Sequence, residues 1–219
     1  MMKKDIIFFD FDGTIVDSAP GIKASVQYAL RHFGIEETRE DILNMFIGPP
    51  LFDAFSKHYN MAPEDADTAV AKYRENYNDN NAMTMFTVYD GVEEMLRNLK
   101  EDGYTLCVAS AKPTLYIKKM LDSADLSRYF YFINGASFDE SKRTKSAVIA
   151  ETIEVNKFSK ERILMVGDRE NDVTGAIKNG IDVLGVLYGY GDEKELKDAG
   201  CKVVAESPDD VVRKVKSEK

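Results

Sequence analysis

Histidine and cysteine are scarce in this chain, with two of each in 219 residues. His32 and His58 are too few to supply a histidine-rich two-metal hydrolase and read as packing or surface residues. Cys107 and Cys201 cannot build a disulfide framework. Both fall in apolar runs that read as strands, so buried fillers in a reducing compartment are expected. No apolar stretch is long enough to span a bilayer, and Met1-Met2-Lys3-Lys4 leads into too short an apolar run for a signal peptide. The expectation is a cytoplasmic protein with no membrane partner. Positive charge is also short: 29 Lys and Arg stand against 38 Asp and Glu, a net charge of −9. That balance argues against a nucleic-acid polymer as partner. It leaves room for a small anion, because local cations and a bound metal set the field inside a pocket.

Hydrophobic residues make up 44% of the chain and charged residues 31%, the profile of an ordinary soluble globular protein. The length suits one large α/β domain, or one such domain with a small insert. Six apolar runs read as strands: 6–9, 105–109, 131–133, 163–166, 183–186 and 202–204. Several lack alternation, as strands covered by helices on both faces should. Between them lie helical patterns. Val92, Met95, Leu96 and Leu99 repeat at helical spacing before Gly103. Leu115, Met120 and Leu121 mark a second helix, Val148, Ile149, Thr152 and Ile153 a third, and Val173, Ala176 and Ile177 a fourth closed by Gly180. This alternation predicts a parallel sheet with right-handed crossovers.

Residues 16–83 break the alternation. They hold no convincing strand and read as helices over 19–33, 40–45, 52–59 and 63–78, with Ser18 as the N-cap of the first. The predicted organisation is an α/β core of residues 1–15 and 84–219, interrupted by a helical insert of residues 16–83 placed like a lid. The basic tail from Arg213 to Lys219 reads as a solvated end.

The chemistry begins at the first strand, Ile6-Ile7-Phe8-Phe9, which runs into Asp10-Phe11-Asp12-Gly13-Thr14. A carboxylate is a good nucleophile for phosphoryl transfer, because it splits the reaction into two easier steps. A second carboxyl two residues on can protonate the leaving oxygen and later deprotonate water. A metal ion beside Asp10 would help keep it ionised, while a site held away from that ion would favour the acid form of Asp12. Gly13 permits a tight loop whose following amides, Thr14 included, could face phosphate oxygens. Ser110 ends the second strand, and Ala111-Lys112-Pro113-Thr114 is read as opening a helix, a second phosphate-oxygen site. Lys145 opens the helix over 147–153 and could neutralise the nucleophile; Lys142 and Arg143 compete for that role. Finally, Gly167-Asp168-Arg169-Glu170-Asn171-Asp172 follows an apolar strand. Two carboxylates four apart there suit a hard cation such as Mg²⁺. These groups fall at the carboxyl ends of three strands plus one loop, where open α/β sheets bind ligands.

Together these motifs resemble the haloacid dehalogenase superfamily of phosphohydrolases over essentially the whole length. Asp10-Phe11-Asp12-Gly13-Thr14 matches its first motif, Ser110 the second, Lys145 the third and Gly167-Asp168 through Asp172 the fourth. The third-motif lysine is often followed by proline, whereas Ser146 follows here, and the helix register selects Lys145. The resemblance implies a Rossmann-like doubly wound core, a Mg²⁺ cofactor and an aspartyl-phosphate intermediate. It implies Asp10 as nucleophile, Asp12 as acid/base, and Ser110 and Lys145 as phosphate binders. The metal would be held by Asp10, the Asp12 main-chain carbonyl and Asp168, with Asp172 in support. It also implies that the insert is a helical cap.

Residues 19–30, 47–51 and Gly189-Tyr190-Gly191 are most similar to the bacterial 5′-nucleotidase-like and phosphoglycolate-phosphatase-like members. Gly48-Pro49-Pro50 is a rigid cap loop, with Lys23, Arg74 and Tyr77 as candidates for polar contact to a leaving group. The expected activity is hydrolysis of a small phosphate ester by a monomer or homodimer. A phosphomutase on the same scaffold and a phosphorylatable receiver-like switch are the alternatives; a true dehalogenase would leave Asp12 and the metal site without work.

Overall fold

The structure, a computed structural model, describes residues 4–137 and 144–217. Lys142 and Arg143, competitors of Lys145, lie outside the described residues. In chain order the elements are β1 (Ile6–Phe9), β2 (Val16–Asp17), α1 (Ala19–Arg31), α2 (Glu40–Asn44), α3 (Leu51–Tyr59), α4 (Pro63–Asp79) and β3 (Thr87–Val88). They continue as α5 (Val92–Glu101), β4 (Thr105–Pro113), α6 (Thr114–Ser123), β5 (Phe132–Ala136), α7 (Lys145–Asn156) and β6 (Ile163–Gly167). The last are α8 (Glu170–Asn179), β7 (Asp182–Val186), α9 (Glu193–Asp198), β8 (Val204–Ala205) and α10 (Pro208–Ser217). Two compact units result: Met1–Val16 with Val88–Lys219, and Asp17–Thr87.

The first unit is built on a six-stranded sheet of order β5-β4-β1-β6-β7-β8. Its pairings are parallel, so the strands end on the same side. The chain steps outward from β1 through β4 to β5, then returns to the other flank of β1 for β6. That reversal makes the carboxyl end of β1 the switch point of an α/β sheet. The unbroken apolar run of β1 has its physical reason here. All four residues are buried, and Ile6 and Phe8 join Cys107, Met165, Val148, Ile149 and Ala176 in one cluster under α7 and α8. Each large apolar side chain removed from water contributes about 1.5–3 kcal/mol.

Several expectations shift at their edges. β4 runs four residues further than the apolar pattern suggests, and α6 starts only at Thr114. The reason is pairing: Pro113 still aligns with Ala136 after a register shift beyond Ser110. Cys107 is buried in β4, whereas Cys201 is buried in the turn after α9, outside any strand. α10 buries Val211, Val212 and Val215, so the basic tail is anchored through Val215 while Arg213 and Lys216 are exposed.

In the second unit, α1 packs along α4. α1 buries Ile22, Val26, Ala29 and Leu30, and α4 buries Ala66, Ala69, Tyr73 and Tyr77. Asn76 donates to the Ser25 hydroxyl at 3.0 Å, and the Tyr28 hydroxyl donates to Glu75 at 2.5 Å. Ser18 occupies the N-cap of α1 without a side-chain cap bond; the Asp17 carboxylate takes that part, accepting from the Ala19 amide at 3.0 Å.

Candidate active site

β1 delivers Asp10 to the switch point. Its amide donates to the Val166 carbonyl at 2.9 Å, which ties it to the end of β6. The Asp10 Oδ1 accepts from the Phe11 amide at 2.6 Å and lies 2.5 Å from Lys145 Nζ. Lys145 opens α7 beneath the Thr144 cap, whose hydroxyl accepts from the Ala147 amide at 3.3 Å. Its ammonium also lies 2.8 Å from Asp172 Oδ1 and donates to the Ala109 carbonyl at 3.3 Å. Burial by itself would lower the Lys145 pKa, but Asp10 and then Asp172 more than offset it and hold the ammonium above its ordinary range.

Asp168 follows β6 and is fully buried. Its Oδ2 accepts from the Tyr190 amide at 2.8 Å, and its Oδ1 from the Thr14 hydroxyl at 3.2 Å. Burial, then the charges of Asp172 and Asp10, push its carboxyl well above the usual carboxylate range. Asp172, also fully buried, accepts from the Arg169 amide at 3.1 Å. Burial followed by the Asp10 charge pushes it up to about 6. Two glycines make this crowding possible. A Cβ on Gly13, whose φ is +84°, would stand 2.1 Å from Asp168 Oδ2, and one on Gly167 would stand 2.3 Å from Asp172 Cγ.

Asp10, Asp168 and Asp172 each present an oxygen within 4.8 Å of the others, a group among the described residues able to hold a metal ion. The donor chemistry fits Mg²⁺, which favours carboxylate oxygen and few protein ligands. The charge inventory fits as well. Fully ionised, the three buried carboxylates would carry two negative charges beyond the one that the buried Lys145 ammonium balances. A divalent ion would balance them and reverse the upward push on Asp168.

Asp12 lies beside this cluster with a different cation. Lys112 Nζ is 3.0 Å from its Oδ1 and 3.2 Å from its Oδ2. The Ser110 hydroxyl, buried on β4, accepts from the Lys112 amide at 3.2 Å. Tyr188 donates its hydroxyl to the Thr14 carbonyl at 3.2 Å, and burial, then Asp168 and Tyr89, hold that phenol well above its ordinary pKa.

The profile of the haloacid dehalogenase-like hydrolases matches residues 7–186. A 5′-nucleotidase of Pseudomonas aeruginosa is 37% identical over 87% of this chain and 86% of its own length. The tyrosine-protein kinase PtkA of Mycobacterium tuberculosis is 34% identical over 85% of this chain and 63% of its own. The crystal structure of a predicted phosphatase from Clostridium acetobutylicum superposes with a TM-score of 0.94 at 39% identity, covering 99% of this chain and 100% of that one. The chain belongs to the haloacid dehalogenase-like hydrolase family.

Within this family framework, the structure gathers Asp10, Lys145, Asp168 and Asp172 as the motifs propose, and it revises several neighbours. Gly13 and Thr14 do not present free amides to a phosphate: Gly13 N–H donates to Val16 O at 2.9 Å and Thr14 N–H turns to Phe11 O at 3.4 Å. The Thr14 hydroxyl serves Asp168 instead. Ser110, Ala111 and Lys112 belong to the extended β4 rather than to a helix N-terminus. Asp12 has a cation of the chain's own, Lys112, on both its oxygens, a partner that residue patterns did not announce.

In the second unit, Lys23 lies 2.5 Å from Glu40, so its charge is engaged. Tyr77 is buried with its ring stacked on Tyr73, centroids 5.4 Å apart. Arg74 is exposed on the same helix. Gly48-Pro49-Pro50 joins α2 to α3, with Pro50 at the N-cap of α3 and Gly48 at φ +103°. The Tyr190 amide is one contact that residue patterns missed, and the Lys112–Asp12 pair is another. The only signal of the first was a Gly-Tyr-Gly triplet following an apolar strand.

Proposed function

We propose that this protein is a Mg²⁺-dependent phosphatase of the haloacid dehalogenase-like family that hydrolyses a small phosphate monoester through an aspartyl-phosphate on Asp10. One observation carries the reading: Lys145 is buried between Asp10 and Asp172, with Asp168 completing an oxygen cluster at the sheet's switch point. Asp10 would attack phosphorus, and the bond to the leaving oxygen would break as Asp12 delivers a proton to it. Asp12 would then take a proton from the water that attacks the phosphoaspartate, releasing inorganic phosphate. Lys145 holds Asp10 in place and faces the phosphoryl charge. A phosphate dianion arriving beside Asp12 would compete with that carboxylate for Lys112, the route by which Lys112 and Ser110 would take part in phosphate binding. Asp10, Asp168 and the Asp12 main-chain carbonyl would hold the ion, with Asp172 in support; when bound it supplies charge neutralisation of the phosphoryl oxygens. Unit 17–87 would act as a cap, with the Gly48-Pro49-Pro50 loop and Arg74 as candidates for leaving-group selectivity.

The 5′-nucleotidase relative favours a nucleoside monophosphate as substrate, and phosphoglycolate is the other candidate from sequence resemblance. The PtkA relative supports a second reading, transfer of the phosphoryl group to an acceptor other than water. Phosphate release should be measured across nucleoside monophosphates, phosphoglycolate and sugar phosphates with Mg²⁺ or EDTA, for the wild type and Asp10→Asn. Mg²⁺-dependent release that falls by roughly 10³-fold or more in the variant supports hydrolysis. Full activity of Asp10→Asn would refute the mechanism. A phosphorylated acceptor appearing in place of inorganic phosphate would favour the second reading.

A further inference from the structure

We infer that the segment Tyr188-Gly189-Tyr190-Gly191, which follows β7, is a positioning element that fixes the Asp168 carboxylate in its metal-binding orientation. The inference rests on the reading of Asp168 as a metal ligand, and it assigns a task to residues that contribute no side chain to the oxygen cluster.

Both Asp168 oxygens are held, and both holds lead to this segment. Oδ2 accepts from the Tyr190 amide at 2.8 Å. Oδ1 accepts from the Thr14 hydroxyl at 3.2 Å, and the Thr14 carbonyl in turn accepts from the Tyr188 hydroxyl at 3.2 Å. One stretch therefore supplies a donor to one oxygen directly and steadies the donor to the other. The approach is closer than any side chain would allow. A Cβ on Gly189 would lie 2.3 Å from the Gly13 carbonyl oxygen and 2.4 Å from Asp168 Cβ. A Cβ on Gly191 would lie 1.9 Å from the Asp168 carbonyl oxygen. Both glycines are thus required by contact with the two loops that carry the candidate ligands. On the far side, Tyr188 meets Tyr89 edge to face with centroids 5.5 Å apart, and the Tyr89 amide donates to the Ile15 carbonyl at 3.2 Å. The ring is braced apart from its hydroxyl, so Tyr188→Phe deletes one hydrogen bond and keeps the packing.

Partners that orient a metal-ligating carboxylate typically change metal affinity by about 10–100-fold when removed. The experiment measures Mn²⁺ binding by electron paramagnetic resonance on the substrate-free full chain, for wild type, Tyr188→Phe and Gly189→Ala. It is paired with the Mg²⁺ concentration giving half-maximal activity and with thermal unfolding in EDTA. Tyr188→Phe is expected to weaken Mn²⁺ binding by about tenfold and to raise the Mg²⁺ requirement in step. Its rate at saturating Mg²⁺ and its unfolding temperature in EDTA should stay near wild type, which a merely structural role would not produce. Gly189→Ala should weaken binding further. Should it fail to fold, Tyr188→Phe decides alone. Wild-type Mn²⁺ affinity in a folded Tyr188→Phe overturns the positioning role while leaving the metal site standing. A wild-type protein that binds no Mn²⁺ removes the metal site, and this inference with it.

Discussion

Lys112 Nζ lies within 3.0 Å of one Asp12 oxygen and 3.2 Å of the other, joining residues 100 positions apart. The pair is nearly closed to solvent, with side-chain exposures of 5% and 12%. Removing one member of such a pair leaves the other's charge desolvated without a partner. Lys112→Met is expected to destabilise the protein by about 2–3 kcal/mol. Adding Asp12→Asn to that variant should restore part of the loss. Urea denaturation of both single variants and the double would measure the coupling, and strict additivity would argue that the pair does not form in solution.

Lys145 has more to balance. Its side chain is 2% exposed and serves Asp10 and Asp172 together. Lys145→Met should cost about 3–5 kcal/mol in EDTA, the range for an orphaned buried charge. Saturating Mg²⁺ should recover part of that loss, because the ion supplies positive charge where the ammonium was. Denaturation midpoints of the variant with and without Mg²⁺ provide the check.

Asp172 sets a pH signature in the metal-free protein. Its folded pKa is raised to about 6 by burial and the Asp10 charge, so between about pH 4 and pH 6 the folded state binds more proton than the unfolded state. Stability from this group therefore falls as pH rises through that window. Asp172→Asn removes the effect. In EDTA, the variant's unfolding temperature should exceed wild type by about 3 °C or more at pH 7.5, and the gap should shrink toward pH 4. Saturating Mg²⁺ should narrow or reverse it at pH 7.5.

Gly167 and Gly103 offer a controlled contrast. A methyl on Gly167 would strike Asp172 Cγ at 2.3 Å, whereas one on Gly103 meets nothing within 4 Å but sits at φ +83°. Gly103→Ala should therefore lose about 1 kcal/mol of stability through backbone strain alone and keep wild-type activity. Gly167→Ala should lose about 1–3 kcal/mol by overpacking and lower activity as well. Phosphate release and calorimetry on both variants would separate the two effects.

The strand ends were readable because a parallel sheet buried on both faces writes itself as continuous apolar runs, and polar residues after such runs stand out. Asp10, Asp168 and Asp172 were found that way, and Lys145 from the start of the apolar pattern over residues 147–153. Lys112 was legible as a cation near the site but not as the partner of Asp12. That pairing depends on β4 continuing to Pro113 across a register shift, which no periodicity announces. Tyr77 shows the opposite limit: a phenol counts as polar in a sequence, which does not announce that its ring is buried and stacked on Tyr73. The hold on Asp168 by Tyr190 comes from a backbone amide, a group every residue but proline has, so its use is invisible until the chain is folded.

The position of β1 has a consequence for how the chain assembles. Its Ile6 aligns with Thr105 on one side and Ile163 on the other, so the middle of the sheet waits for segments about 100 and 160 residues downstream. Such long-range closures raise contact order and slow folding. During synthesis, the strand bearing Asp10 emerges well before either neighbour. Until β4 has left the ribosome both edges of β1 are open, and one stays open until β6 follows, which makes this apolar segment a natural client for a chaperone.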